Sequence, residues 1–137
     1  MSNDEIRKNI IENYIHSYNN FEIENMLKDL DENIVFRNIS NGEVNLTTKS
    51  IAEFKAQAEQ AKNLFSRREQ KIIDLKFGAD KVEAEIFYNG TIAVDFPNGL
   101  KSGSRIELAG KSIFRFAGDK IIEIEDISWV IKQWKKR

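Results

Sequence analysis

The feature that most constrains this chain is a change of hydrophobic period near Arg67. Before it, apart from one early hairpin, apolar residues recur at every third and fourth position; after it, they alternate. Ile6, Ile10, Ile11, Tyr14 and Tyr18 form one helical stripe. Asn3 or Asp4 is placed to cap its start, and Asn19-Asn20 to stop it. A second, short helix carries Phe21, Met26, Leu27 and Leu30, with Glu22 and Glu24 suited to its N-terminal end. Residues 33–39 then read as a strand, Asn41-Gly42 as a turn and residues 43–47 as the returning strand. Thr48 or Ser50 caps a third helix carrying Ile51, Phe54, Ala58, Ala61, Leu64 and Phe65.

Beyond Arg67, Ile73, Leu75 and Phe77 alternate with Asp74 and Lys76, and Gly78-Ala79-Asp80 turns the chain. Val82, Ala84, Ile86 and Tyr88 share the next strand phase. Asn89-Gly90 reads as a bulge within that strand rather than a hairpin, because residues 91–96 continue its character up to Pro97-Asn98-Gly99. A strand over about 105–116 places Ile106, Leu108, Phe114 and Phe116 in one phase, and Gly118-Asp119-Lys120 leads into a last strand, 121–129. Helices first and long strands after specify an α+β domain, with helices on one face of a mostly antiparallel sheet. One domain over 1–131 is expected, followed by a basic tail, 132–137.

Composition removes whole classes of chemistry. The 137 residues include no cysteine, which excludes thiol catalysis, disulfides and zinc–thiolate sites. His16 is the single histidine; it lies beside Asn13 and Asn20 on the polar side of the first helix and reads as a surface residue. No histidine–carboxylate cluster has ligand spacing, so no metal is expected. A net charge of −1 gives no field for nucleic acid or an anionic membrane. Arg67-Arg68 and Lys135-Lys136-Arg137 read as solvated charge. Glycines fall in turns and never in a phosphate-cradling loop, so no nucleotide cofactor is expected. The polar N-terminus and the lack of a long apolar run lead to a cytoplasmic expectation.

Three stretches together resemble the nuclear transport factor 2-like superfamily, which includes ketosteroid isomerases and SnoaL-like polyketide cyclases. They are Tyr18-Asn19-Asn20-Phe21 running on to Leu30-Asp31-Glu32-Asn33-Ile34-Val35-Phe36, then Lys49-Ser50-Ile51-Ala52-Glu53-Phe54, then Phe114-Arg115-Phe116-Ala117-Gly118-Asp119-Lys120-Ile121-Ile122-Glu123. The resemblance implies a cone: three N-terminal helices packed on a strongly curved, mostly antiparallel mixed sheet that encloses a pocket. It also implies a homodimer, for which Phe87, Val94 and Phe96 are candidates on the outer sheet face.

By the same resemblance, Tyr14 matches the tyrosine that donates a hydrogen bond to a developing oxyanion. It reads equally as a core aromatic on the apolar stripe. The isomerase base position holds Asn38, which cannot abstract a proton at neutral pH. The second oxyanion-donor position holds Ser112. Ketosteroid isomerisation by the family mechanism is therefore not expected. Asp126 is the remaining acid. It shares a strand phase with Ile122 and Ile124, and SnoaL-like proteins resemble it in placing an acid on the final strand. In an apolar pocket it would be a general acid or base; in the opposite register, or paired with Arg115 or Arg105, it would be structural. The expected lining is Phe36, Ile86, Tyr88, Phe114 and Trp129, with Asn38 and Ser112 orienting the ligand. Three functions stay open: acid–base catalysis of isomerase, cyclase or lyase type on an apolar carbonyl compound, noncatalytic binding of an apolar or aromatic ligand, and a dimerising interaction module that works through its sheet face.

Overall fold

The two periods separate into two layers. The computed structural model describes residues 2–134. Helices α1 (Asn3–Asn19), α2 (Ile23–Met26) and α3 (Ile51–Ala61) cover the concave face of one six-stranded sheet. Its strands are β1 (Leu30–Ser40), β2 (Glu43–Thr48), β3 (Phe65–Phe77), β4 (Lys81–Ile92), β5 (Arg105–Ala117) and β6 (Lys120–Trp134), in the order β2-β1-β6-β5-β4-β3. Only the β1–β6 pair is parallel. This is the expected α+β cone of helices on a curved, mixed sheet.

The core lies between the layers. Ile11, Ile34, Val82, Phe114, Ile121 and Ile124 are all fully buried. At one end Arg7 ties α1 to two hairpin turns, its Nη1 donating to the carbonyl of Ala79 at 2.8 Å and its Nη2 to that of Gly118 at 3.4 Å. At the other end Asn19 clamps Gln70 of β3: the Gln70 N–H donates to Asn19 Oδ1 at 2.7 Å, and Asn19 Nδ2 donates back to the Gln70 carbonyl at 3.0 Å. Gly110 sits where β5 passes β6. A Cβ there would collide with the Ile127 carbonyl and lie 2.9 Å from Ser128 Cα, so glycine alone allows the strands this approach.

Bulges explain most departures from the sequence reading. The β3–β4 register slips between Ile72 and Asp74, leaving Ile73 55% exposed while Ile72 and Leu75 pack on the core. The β5–β6 register slips between Arg115 and Phe116, opposite Ile122. Ile122 therefore turns outward while Ile121 and Ile124 point in. Each bulge inserts one residue and breaks strict alternation while bending the strand. No register slip falls at Asn89-Gly90: both pair regularly inside β4, which ends at Ile92. Val94 and Phe96 thus lie in the following loop, not on the outer sheet face, and Phe96 packs edge-on against Phe65.

Other boundaries also shift. Ser2 caps α1, its Oγ accepting from the Glu5 N–H, and Ser50 caps α3 through the Glu53 N–H. Helix α3 stops at Ala61, a 3-10 turn covers Lys62–Leu64, and Phe65 opens β3. Leu30 begins β1 instead of closing α2. Lys132, Gln133 and Trp134, read as tail, pair with β5; the rest of the expected tail, 135–137, lies outside the described residues. Among the described residues, no helix is long and apolar enough to cross a membrane.

Candidate active site

Sheet register builds the site. Asn38 of β1 lies beside Asp126 of β6, and Asp126 beside Ser112 of β5. Cross-strand neighbours share a face, so all three side chains line one cavity under α1 and α3. The cavity holds about 320 Å3, in the range of small-molecule sites. The Ile122 bulge matters here, because it leaves Ile124 and Asp126 in the inward phase.

Asp126 accepts a hydrogen bond from Ser112 Oγ at 2.7 Å and takes part in no ion pair among the described residues. Arg115 instead pairs with Glu123 at 3.6 Å, and Arg105 lies over the Trp134 ring. Burial pushes the Asp126 carboxyl up to about 6, against a smaller opposing effect of the Ser112 bond. The acid is thus poised to exchange a proton near neutral pH.

Tyr14 reaches the cavity from α1, its ring edge-on to Phe114 at 5.7 Å and tilted against Phe54 at 6.4 Å. Burial raises its pKa well above the ordinary value, and the charge of Asp126 raises it further. The phenol therefore stays protonated, and its hydroxyl has no hydrogen-bond partner among the described residues. Asn38 spends its amide protons on the rim, donating to Asn45 Oδ1 at 2.9 Å and Ser40 Oγ at 3.2 Å. Its Oδ1 accepts nothing from the described residues and is left as an acceptor.

Phe36, Ile86 and Tyr88 line the cavity as expected. Two expected lining residues do not. Phe114 is fully buried beneath Tyr14, and Trp129 is 52% exposed on the opposite sheet face, because it is one residue out of phase with Ser128, which lines the cavity. His16 is exposed, its ring against the Asn20 amide.

The largest correction concerns Arg68. It is not solvated: it is 4% exposed and lines the cavity. Its guanidinium lies between the rings of Tyr18 (3.7 Å) and Phe21 (4.5 Å). Tyr18, whose Oη donates to that of Tyr88 at 3.1 Å, and Gln70 also line the cavity. A signal was available: two adjacent arginines on a strand face opposite ways, so one of Arg67 and Arg68 had to point inward. Among the described residues no cluster of His, Asp and Glu is arranged to hold a metal ion.

A family model described as a SnoaL-like domain matches residues 11–124. Candidate polyketide cyclases from Xanthomonas campestris pv. campestris and Acidithiobacillus ferrooxidans are similar in structure. The first has a TM-score of 0.77 at 18% identity, covering 92% of each chain. The second has 0.77 at 20%, covering 93% of this chain and 91% of that one. An epoxide hydrolase of M. tuberculosis, described as LEH-like, gives 0.72 at 13%, covering 90% and 83%. At such identities the likeness shows the fold alone. No curated protein sequence matches the chain.

Proposed function

We infer, since this chain belongs to the SnoaL-like domain family, that it performs acid–base catalysis on an apolar carbonyl compound held in the cavity. One observation carries the reading: a carboxyl with its pKa near 6, bound by one serine and paired with no cation, shares an apolar cavity with an unpartnered tyrosine hydroxyl. Asp126 takes a proton from the carbon next to the carbonyl, and the C–H electrons move into the C–C bond as the carbonyl oxygen gains charge. Tyr14 donates to that oxygen. Ser112 holds the carboxylate in place, and Asn38 Oδ1 receives a substrate hydroxyl. Return of the proton to another carbon is isomerisation, attack of the enolate on a second carbonyl is cyclisation, and loss of a leaving group is the lyase outcome. The polyketide cyclase names of the structural neighbours suit the second.

A test needs no known substrate. Proton–deuterium exchange next to the carbonyl of 2-tetralone, followed by NMR in D2O, is expected to run faster with the protein than in buffer. Ligand stabilisation without any exchange would favour the noncatalytic binding reading instead. Tyr14→Phe is expected to slow exchange about 10²- to 10³-fold. Because the hydroxyl has no partner among the described residues, the same change should leave stability within about 1 kcal/mol of wild type. An unaltered exchange rate would remove Tyr14 from the mechanism.

The reading also includes a second copy of the chain on the outer face. Phe87, Ala109 and Trp129 are successive cross-strand neighbours there, beside the exposed Val130 and Ile131 of β6. Sedimentation at about 100 µM is expected to give twice the chain mass, and a single-chain mass would overturn the homodimer.

A further inference from the structure

Arg68 is a buried cation without an anion. It enters no ion pair among the described residues; its Nε donates to the Tyr18 carbonyl at 2.9 Å, and the guanidinium also bonds to the Tyr18 hydroxyl. The nearby Asp126 does not answer it. Asp126 lines the same cavity, is met by Ser112 and forms no ion pair with Arg68 among the described residues. The aromatic sandwich of Tyr18 and Phe21 offsets part of the desolvation of the guanidinium. It leaves the unit charge uncancelled, and a buried, unpaired charge is among the costliest features a fold can keep.

The chain goes to some length to keep it. Phe21 adopts a left-handed backbone conformation, φ 58°, a strained geometry for an aromatic residue, and from there its ring covers the guanidinium. Two residues along β3, on the same face, Gln70 Oε1 is buried with no hydrogen-bond partner. A cation met only by neutral groups and an orphan acceptor near it thus lie in the wall of one apolar cavity.

We propose that the cavity takes an apolar or aromatic carboxylic acid, its carboxylate on the Arg68 guanidinium and its reacting carbonyl region at Asp126. With Nε on the Tyr18 carbonyl and one bond shared with the Tyr18 hydroxyl, the remaining guanidinium N–H groups are left for the carboxylate oxygens. One cation balances one negative charge, which favours a carboxylate over a phosphate dianion. The Gln70 oxygen accepts from a hydroxyl or N–H near the acid group. This deepens the proposed function, and it rests on the cavity being the ligand site.

The test is calorimetric titration with 2-naphthoate and with its neutral isostere 2-naphthamide. Wild type is expected to bind the acid about 10- to 100-fold tighter than the amide. Arg68→Met, which keeps apolar bulk, is expected to abolish that preference, and Arg68→Lys to keep part of it. Arg67→Met, at the exposed neighbour on β3, is expected to retain it in full. Equal binding of acid and amide by wild type overturns the proposal, as does undetectable binding of both at millimolar concentration, or an acid preference that survives Arg68→Met. The two readings fail separately. An acid preference without tetralone exchange sinks the catalytic reading alone, and exchange without an acid preference sinks the carboxylate subsite alone.

Discussion

Asp126→Asn is expected to stop catalysis and stabilise the protein at once. Exchange next to the tetralone carbonyl should fall about 10²- to 10⁴-fold, the usual contribution of a positioned general base. The amide still accepts the Ser112 bond through its oxygen, so the cavity keeps its shape. The stability gain follows from the titration. The carboxyl has a pKa of about 6 in the folded chain against an ordinary 3.8. The folded state therefore holds the proton more tightly than the unfolded one. That contribution to stability is complete below pH 3.8 and is lost as pH rises through 6. Above pH 7, wild type carries a buried negative charge, at a cost of roughly 3 kcal/mol by the usual conversion of a pKa shift. Asparagine never ionises, so the variant should exceed wild type by about that amount at pH 8, with the gap closing toward pH 4. Urea unfolding at the two pH values measures it. Equal stability at pH 8 would mean that the carboxyl is not desolvated.

Phe114→Ala carries the next largest effect. Phe114 is fully buried in the core, and its ring supports Tyr14 edge-on. Removing it takes away apolar burial and leaves a void, at a cost of about 3–5 kcal/mol. For a domain of this length that lowers Tm by about 10 °C or more. Exchange activity should fall further than the folded fraction does, because Tyr14 loses the surface that aims its hydroxyl. Phe114→Leu should recover much of the stability. An alanine variant with unchanged Tm would show that the core relaxes freely around the site.

The sequence carried the layers well and the register unevenly. Val82, Ala84, Ile86 and Tyr88 alternate without interruption, and each points inward as read. The early hairpin was equally legible, since Asn41-Gly42 supplies the two positive φ values that a tight turn needs. Ile73 and Ile122 misled, because each occupies a bulge. A bulge is fixed by pairing with the neighbouring strand and leaves no mark in one strand's own pattern. Asp126 was legible as an inward acid because the bulge at Ile122 falls before it and leaves its phase with Ile124 intact. Trp129 misled by type, a large aromatic assigned to the pocket although it lies one residue out of phase with it. Arg68 was missed because charge was taken to mean solvent. Strand alternation puts one of the two arginines inward, and the packing of Tyr18 and Phe21 across Arg68 shows which one and what covers it.

The account turns on one proton. Site-resolved NMR of the aspartate side-chain carboxyl carbons, with Asp126 assigned by its absence in Asp126→Asn, follows that proton directly from pH 3 to 9. A midpoint near 6 is the predicted result, and it would put an acid–base group in the apolar cavity at working pH. A midpoint at the ordinary aspartate value of 3.8 would contradict the account, leaving a permanently ionised, solvated carboxylate and a cavity that binds without catalysing.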